Sequence, residues 1–103
     1  MAKKEIVWSE SAREDMHDIF NYISHQSLFY ADTVIEQIIE SAESLSSLSE
    51  RGRVVPELRS PFIREIFVYQ YRLLYKLSAD SIEIIGILHM ARDFANYQNE
   101  KSN

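Results

Sequence analysis

Two amphipathic stripes joined by a link of a few residues constrain this chain more than any other feature. Ala12, Met16, Ile19, Phe20 and Ile23 recur at helical spacing, and so do Ala31, Val34, Ile35, Ile38, Ile39, Ala42, Leu45 and Leu48. Each set forms one apolar face of an α-helix. The second is the longest uninterrupted period in the sequence, and Asp32, Glu36, Glu40 and Glu43 fall on its other faces as a solvated surface. Residues 24–27 leave room only for a tight turn, so the two helices must be antiparallel neighbours. Ser11 and Glu14 stand in capping-box spacing and place the start of the first helix near them.

The rest of the chain reads as strands. Glu5-Ile6-Val7-Trp8-Ser9 is β-branched and aromatic, and a serine-rich stretch ends it. From Ser49 the character changes, because Gly52, Pro56 and Pro61 interrupt any helix and the residues beyond them favour extended structure. Strands are predicted at 63–69, 72–77 and 82–90, forming a meander. Pairing Leu77 with Ile82 sets Lys76 opposite Glu83 and Arg72 opposite Ile87, and the first hairpin sets Glu65 opposite Lys76. In that register Arg72, Leu74, Lys76, Glu83, Ile85, Ile87 and His89 share an open face, while Leu73, Tyr75, Leu77, Ile82, Ile84 and Leu88 face the helices. The predicted fold is therefore α+β, in the order β-α-α-β-β-β, with a helical hairpin packed on one face of an antiparallel sheet. A single domain spans 1–94, and residues 95–103, polar apart from Tyr97, form a C-terminal tail expected to fray.

Size and composition narrow the function classes. A chain of 103 residues holds one core, and 46% apolar residues with one Trp, six Tyr and five Phe can fill it. With no cysteine there is no disulfide framework, no thiol nucleophile and no Cys-based zinc site. No apolar run reaches the length of a membrane span, and the reading is a cytoplasmic protein. The net charge of −5 conceals an asymmetry: residues 1–50 carry ten acids against Lys3, Lys4 and Arg13, whereas six of the seven arginines lie in the second half. An anionic partner would be met there. The overall acidity argues against indiscriminate nucleic-acid binding, whose affinity comes from a cationic surface.

Gly52 and Gly86 are the only glycines, so no phosphate-binding loop exists, and no Gly-x-Ser-x-Gly elbow occurs. The three histidines do not stand at metal-ligand spacing, and neither a metal nor a cofactor is expected. His17 and His25 read as solvated helix residues. Arg72 and His89 become diagonal neighbours in the proposed register, and an imidazole beside a guanidinium can move a proton and stabilise a phosphorane. The competing reading pairs Arg72 with Glu57 or Glu83 as a structural ion pair and leaves His89 as part of an amphipathic edge. Arg51 and Arg53 flank Gly52 in a loop, placed either to grip an anionic partner or to solvate a turn.

The segments Ile6-Val7-Trp8-Ser9, Gly52-Arg53-Val54-Val55-Pro56-Glu57-Leu58, Ile63-Arg64-Glu65-Ile66, Tyr71-Arg72-Leu73-Leu74-Tyr75 and Ile87-Leu88-His89 with Arg92-Asp93 resemble, in order, the RelE/ParE toxin pattern over residues 5–94. The resemblance implies the toxin of a type II toxin–antitoxin pair, a cognate antitoxin as partner in a hetero-oligomer, and the fold just described. It also implies one of two activities. ParE-like members bind DNA gyrase; RelE-like members cleave messenger RNA on the ribosome. Under the ribonuclease alternative Glu57, Arg72 and His89 would be catalytic. The glycine–arginine loop, the Ile-Arg-Glu-Ile strand and the Leu-His-x-x-Arg-Asp end look closer to the ParE branch, with no catalytic residue favoured and with Arg51, Arg53, Arg64, Arg72, His89 and Arg92 as binding residues. A second alternative is a module that binds antitoxin without toxicity. The family is usually basic, whereas this chain has a pI near 5.1.

Overall fold

The computed structural model describes residues 3–91 and 98. Its elements are β1 (Glu5–Trp8), α1 (Glu10–Ser24), α2 (Leu28–Ser44), β2 (Arg53–Val54), β3 (Ile63–Val68), β4 (Tyr71–Leu77) and β5 (Ser81–His89). The expected helical hairpin on a sheet is present. The first helix is capped two residues earlier than predicted, because Ser9, not Ser11, accepts the free N–H of Ala12 at 3.0 Å. Ser27 does the same for α2 by accepting from Tyr30 N–H, which is why two helices fit across so short a link. No helix among the described residues is long and apolar enough to cross a membrane.

The sheet has five strands in the order β1-β5-β4-β3-β2, and it is mixed rather than antiparallel. The meander β3-β4-β5 is antiparallel as expected, but β1 lies parallel to β5, with Ile6 beside Ile82 and Trp8 beside Ile84. Apolar alternation fixes which side of a strand is buried and says nothing of its neighbour's direction. The two-residue β2 completes the far edge.

Register is where expectation and structure part most. Leu77–Ile82 and Lys76–Glu83 pair as predicted, but Ile85 has no partner between Leu74–Gly86 and Tyr75–Ile84. This β-bulge moves every later residue by one, so Arg72 faces Leu88 instead of Ile87. In the first hairpin Glu65 lies opposite Leu74, and Ile63 takes the place opposite Lys76, because the turn closes tightly at Tyr69 and Gln70. Tyr69 adopts φ 53°, the left-handed conformation such a turn demands.

The bulge exchanges residues between faces. Ile82, Ile84 and Ile87 all join the core under the helices with Ala12, Ile19, Ile23, Val34, Ile38, Leu73 and Tyr75, whereas Leu88 packs on the opposite side with Leu74 and Val55. That opposite side is not fully open either. Val55, Leu58 and Ile63 close over part of it, forming a small second core with Ile85.

Asp15 holds the bulge. It stands at helical spacing between Ala12 and Ile19, inside the apolar stripe of α1, and is 6% exposed. Its Oδ2 accepts the Ile87 N–H at 2.9 Å. Replacing it by Ala strands a buried amide, which costs about 1–3 kcal/mol. Chemical denaturation of Asp15→Ala should show that loss with an unchanged m-value, and a loss below half a kilocalorie would show that the contact is incidental.

Candidate functional site

Beyond the helices, the sheet carries a compact ion-pair network on its other face. Arg53 on edge strand β2 lies directly opposite Glu65 on β3, and Glu65 is a diagonal neighbour of Arg72 on β4. These three therefore point the same way. The Glu65 side chain is fully buried, and each of its oxygens receives one guanidinium: Oε1 from Arg72 Nε at 2.6 Å, Oε2 from Arg53 Nε at 2.7 Å. Two cations supply the hydrogen bonds that a buried carboxylate needs.

The outward fork of Arg72 is occupied as well. Nη1 and Nη2 donate to the two oxygens of Glu57 at 3.0 and 2.8 Å, a bidentate pair. Glu57 is set there by a turn: Val55 O accepts from both Leu58 N and Arg59 N, with Pro56 fixing the entry and Arg59 at φ 54° closing it. The hydrogen bond from Arg72 holds the Glu57 carboxyl below its usual range against the opposing effect of burial. The same contact, with Glu65 behind it, raises Arg72 further above the ordinary guanidinium value. Arg53 also lies over the Phe67 ring, 5.0 Å from its centroid.

His89 is not part of this network. After the bulge it points to the helix side, where it pairs with Tyr71 across β4 and β5 and meets that ring edge-on at 5.3 Å. Its Nδ1 accepts from Ala91 N–H. The predicted neighbourhood of Arg72 and His89 is therefore overturned: the extra residue at position 85 puts them on opposite faces. Around His89, a cavity of about 360 Å³ is lined by Asp18, Ile19, Tyr22 and Tyr71. Burial pushes the Tyr71 hydroxyl up, helped by the nearby Tyr30 and Tyr22, so it stays protonated.

The remaining arginines divide. Arg51 is exposed and donates to Ser44 Oγ. Arg64, opposite Tyr75, lies on the helix side and donates to Gly52 O at 3.0 Å. Gly52 is required there, since a Cβ would stand 2.5 Å from the Tyr75 hydroxyl and 2.7 Å from Glu65 O. Arg92 and residues 95–97 and 99–103 of the predicted tail lie outside the described residues. Among the described residues no group of three or more His, Asp or Glu is placed to hold a metal ion. Sequence reasoning missed Glu65 as the centre of the network and Asp15 as a buried acceptor. Only Asp15 left a signal, as an acid within an apolar stripe.

The family model of the ParE toxin of the type II toxin–antitoxin system, parDE, matches residues 6–94. The chain belongs to the ParE toxin family. Toxin RelE2 of Caulobacter vibrioides is 30% identical over 89 residues, covering 85% of this chain and 97% of that protein. Among solved structures, the chromosomal ParDE system of P. aeruginosa superposes with a TM-score of 0.70 at 18% identity, covering 84% of this chain and 96% of the other. The RelBE2 toxin–antitoxin complex of Mycobacterium tuberculosis gives 0.63 at 20% identity, over 85% and 99% of the two chains. This ParE-family chain thus shares its fold, over 84–85% of its length, with members of a ParDE system and of a RelBE2 complex.

Removing Arg72 leaves Glu65 half-paired in the interior, and breaking such a buried pair costs about 3–5 kcal/mol. Arg72→Met should accordingly lower Tm by at least about 10 °C. A variant that melts within two or three degrees of the parent would contradict the structural role. Glu57 has a lowered folded-state value, so its contribution is present above the ordinary carboxyl value of 4.5 and disappears as pH falls through the folded one. Parent and Glu57→Gln should differ in denaturation midpoint at neutral pH and converge in acid below pH 4.5.

Proposed function

We propose that this toxin acts by binding, with DNA gyrase as its target and a cognate antitoxin as its neutralising partner in a hetero-oligomer. The observation that carries the reading is the separation of Arg72 from His89. Cleavage of RNA by its own 2′-hydroxyl needs groups that move protons next to one that stabilises the phosphorane. Here the guanidinium of Arg72 is held between two carboxylates, and the imidazole lies across the sheet.

A binding mode needs only a surface, and one exists on the network side. Arg53 keeps more than half of its side chain exposed while Glu65 and Phe67 fix its position, and Phe67 itself is 45% exposed. A preorganised arginine on an aromatic ring is the kind of anchor that carries interface energy. Arg51 and Arg92 are proposed as further contact residues from their charge and their place in the sequence. The antitoxin partner is supported by the relatives, which include a ParDE system and a RelBE2 toxin–antitoxin complex.

One observation favours a second reading. The 30% identity to a protein named RelE2, together with the direct Glu57–Arg72 contact, keeps a ribosome-dependent messenger ribonuclease in view. In that reading Glu57 would be displaced when RNA binds.

Supercoiling of relaxed plasmid by gyrase, with rising concentrations of toxin, decides between them. Parent protein should inhibit and should leave linear DNA after detergent and protease. Phe67→Ala removes no ion pair, so it should melt normally yet inhibit at least about tenfold less well. If parent protein leaves supercoiling untouched, and instead cuts messenger in a translating extract in a way that Arg72→Lys abolishes, the ribonuclease reading replaces this one.

A further inference from the structure

The cavity beside His89 is not used by the network face, and its chemistry is distinct. Its lining combines three aromatic rings, Tyr22, Tyr71 and His89, with the side chains of Ile19 and Asp18. Among the described residues no hydrogen bond or ion pair engages the Asp18 carboxylate or the Tyr71 hydroxyl. Tyr22 on its lining is 72% exposed, and at the same end of the helical hairpin the first turn of α2 exposes Leu28, Tyr30 and Phe29, the last at 83%. Single exposed apolar residues are ordinary, but several of them grouped at one end of the helical hairpin mark a contact surface.

Charge selects what can enter. Helices α1 and α2 carry eight acids, Glu10, Glu14, Asp15 and Asp18 on the first and Asp32, Glu36, Glu40 and Glu43 on the second, against the single base Arg13. A phosphate or an acidic segment is repelled from this side. Tyrosine faces attract a cation through their quadrupole, and a carboxylate at the mouth adds a charge-assisted hydrogen bond. A neutral apolar plug would bury Asp18 without a partner, whereas a cation would satisfy it.

We propose that this cavity receives an arginine or lysine side chain from a protein partner, presented by a segment whose neighbouring apolar residues cover Tyr22 and Phe29. The inference rests on the reading above only in taking the chain to have a protein partner. It reverses the expected polarity locally, since the partner's docking segment is basic at this point and the toxin surface is acidic.

The test uses full-length protein labelled with nitrogen-15 and titrated with Nα-acetyl-arginine amide, with the neutral isostere Nα-acetyl-citrulline amide as control. The arginine compound should shift the amide signals of Asp18, Tyr22, Tyr71 and His89, and the citrulline compound should not. Asp18→Asn should weaken that binding about tenfold, the loss of one charge-assisted contact, with the melting temperature unchanged because Asp18 is exposed. The same variant should weaken the complex with the product of the adjacent reading frame. Equal shifts from both compounds, or none, would overturn the proposal. So would shifts that appear only in Arg92→Ala, which would give the cavity to the chain's own arginine. A stoichiometric complex that Asp18→Asn does not weaken would sink the cavity assignment and leave the toxin reading standing.

Discussion

One unpaired residue in β5 decides what each face of this sheet can do. Were Ile85 paired and the alternation unbroken, His89 would fall on the same side as Arg72 and Ile87 would turn away from the helices. With the bulge, Ile87 enters the main core and Leu88 joins Val55 and Leu74 in the second. Two residues beyond the unpaired Ile85, Asp15 on α1 accepts the Ile87 N–H and ties the helix to the strand just after the bulge. The helix thus fixes the sheet's defect, and the defect sorts the side chains. Two surfaces result: an arginine network over the far face, and an aromatic cavity with an acidic mouth beneath the helices.

The network illustrates why position in a sequence does not announce a role. Arg72 has the look of a binding or catalytic arginine, yet its Nε and both terminal nitrogens donate to two carboxylates, one of them fully buried. Glu65 carries both Arg53 and Arg72, so the edge strand, the central strand and the turn at Glu57 are tied through a single buried charge. Such an arrangement specifies geometry more than it adds stability, since desolvation offsets much of the attraction. A short β2 held in this way presents Arg53 over Phe67 in a fixed orientation, which is what a surface acting by contact requires.

Much of the architecture is legible in the sequence alone. The stripes at Ala12–Ile23 and Ala31–Leu45, the three meander strands and the Leu77–Ile82 pairing follow from period and turn chemistry, and the structure has them; Leu48, the last residue of the predicted second stripe, lies beyond the end of α2 and is exposed. The parallel partner of β1 was not legible, because a strand's pattern carries no direction. Nor was the bulge, for the run Ile84-Ile85-Gly86-Ile87 is apolar on both faces and fits either register; Gly86 was its only hint. The site suffered most from this. An ion pair of Arg72 with Glu57 or Glu83 is one of the two readings the sequence allows, and Glu57 is the partner found; placing His89 with Arg72 depends on an alternation that position 85 breaks. Glu65 gave no sign, since a strand glutamate at an alternating position reads as exposed.

The separation of Arg72 from His89 underlies both the proposed binding mode and the proposed role of the acidic cavity, and it is directly measurable. Nuclear Overhauser contacts from the His89 ring protons in the folded, full-length protein report its neighbours within about 5 Å. The account predicts contacts to the Tyr71 ring, which lies 5.3 Å away centre to centre, and to Ile19 of α1, with none to the Arg72 side chain. Contacts from His89 to the Arg72 methylenes, with none to α1, would contradict it.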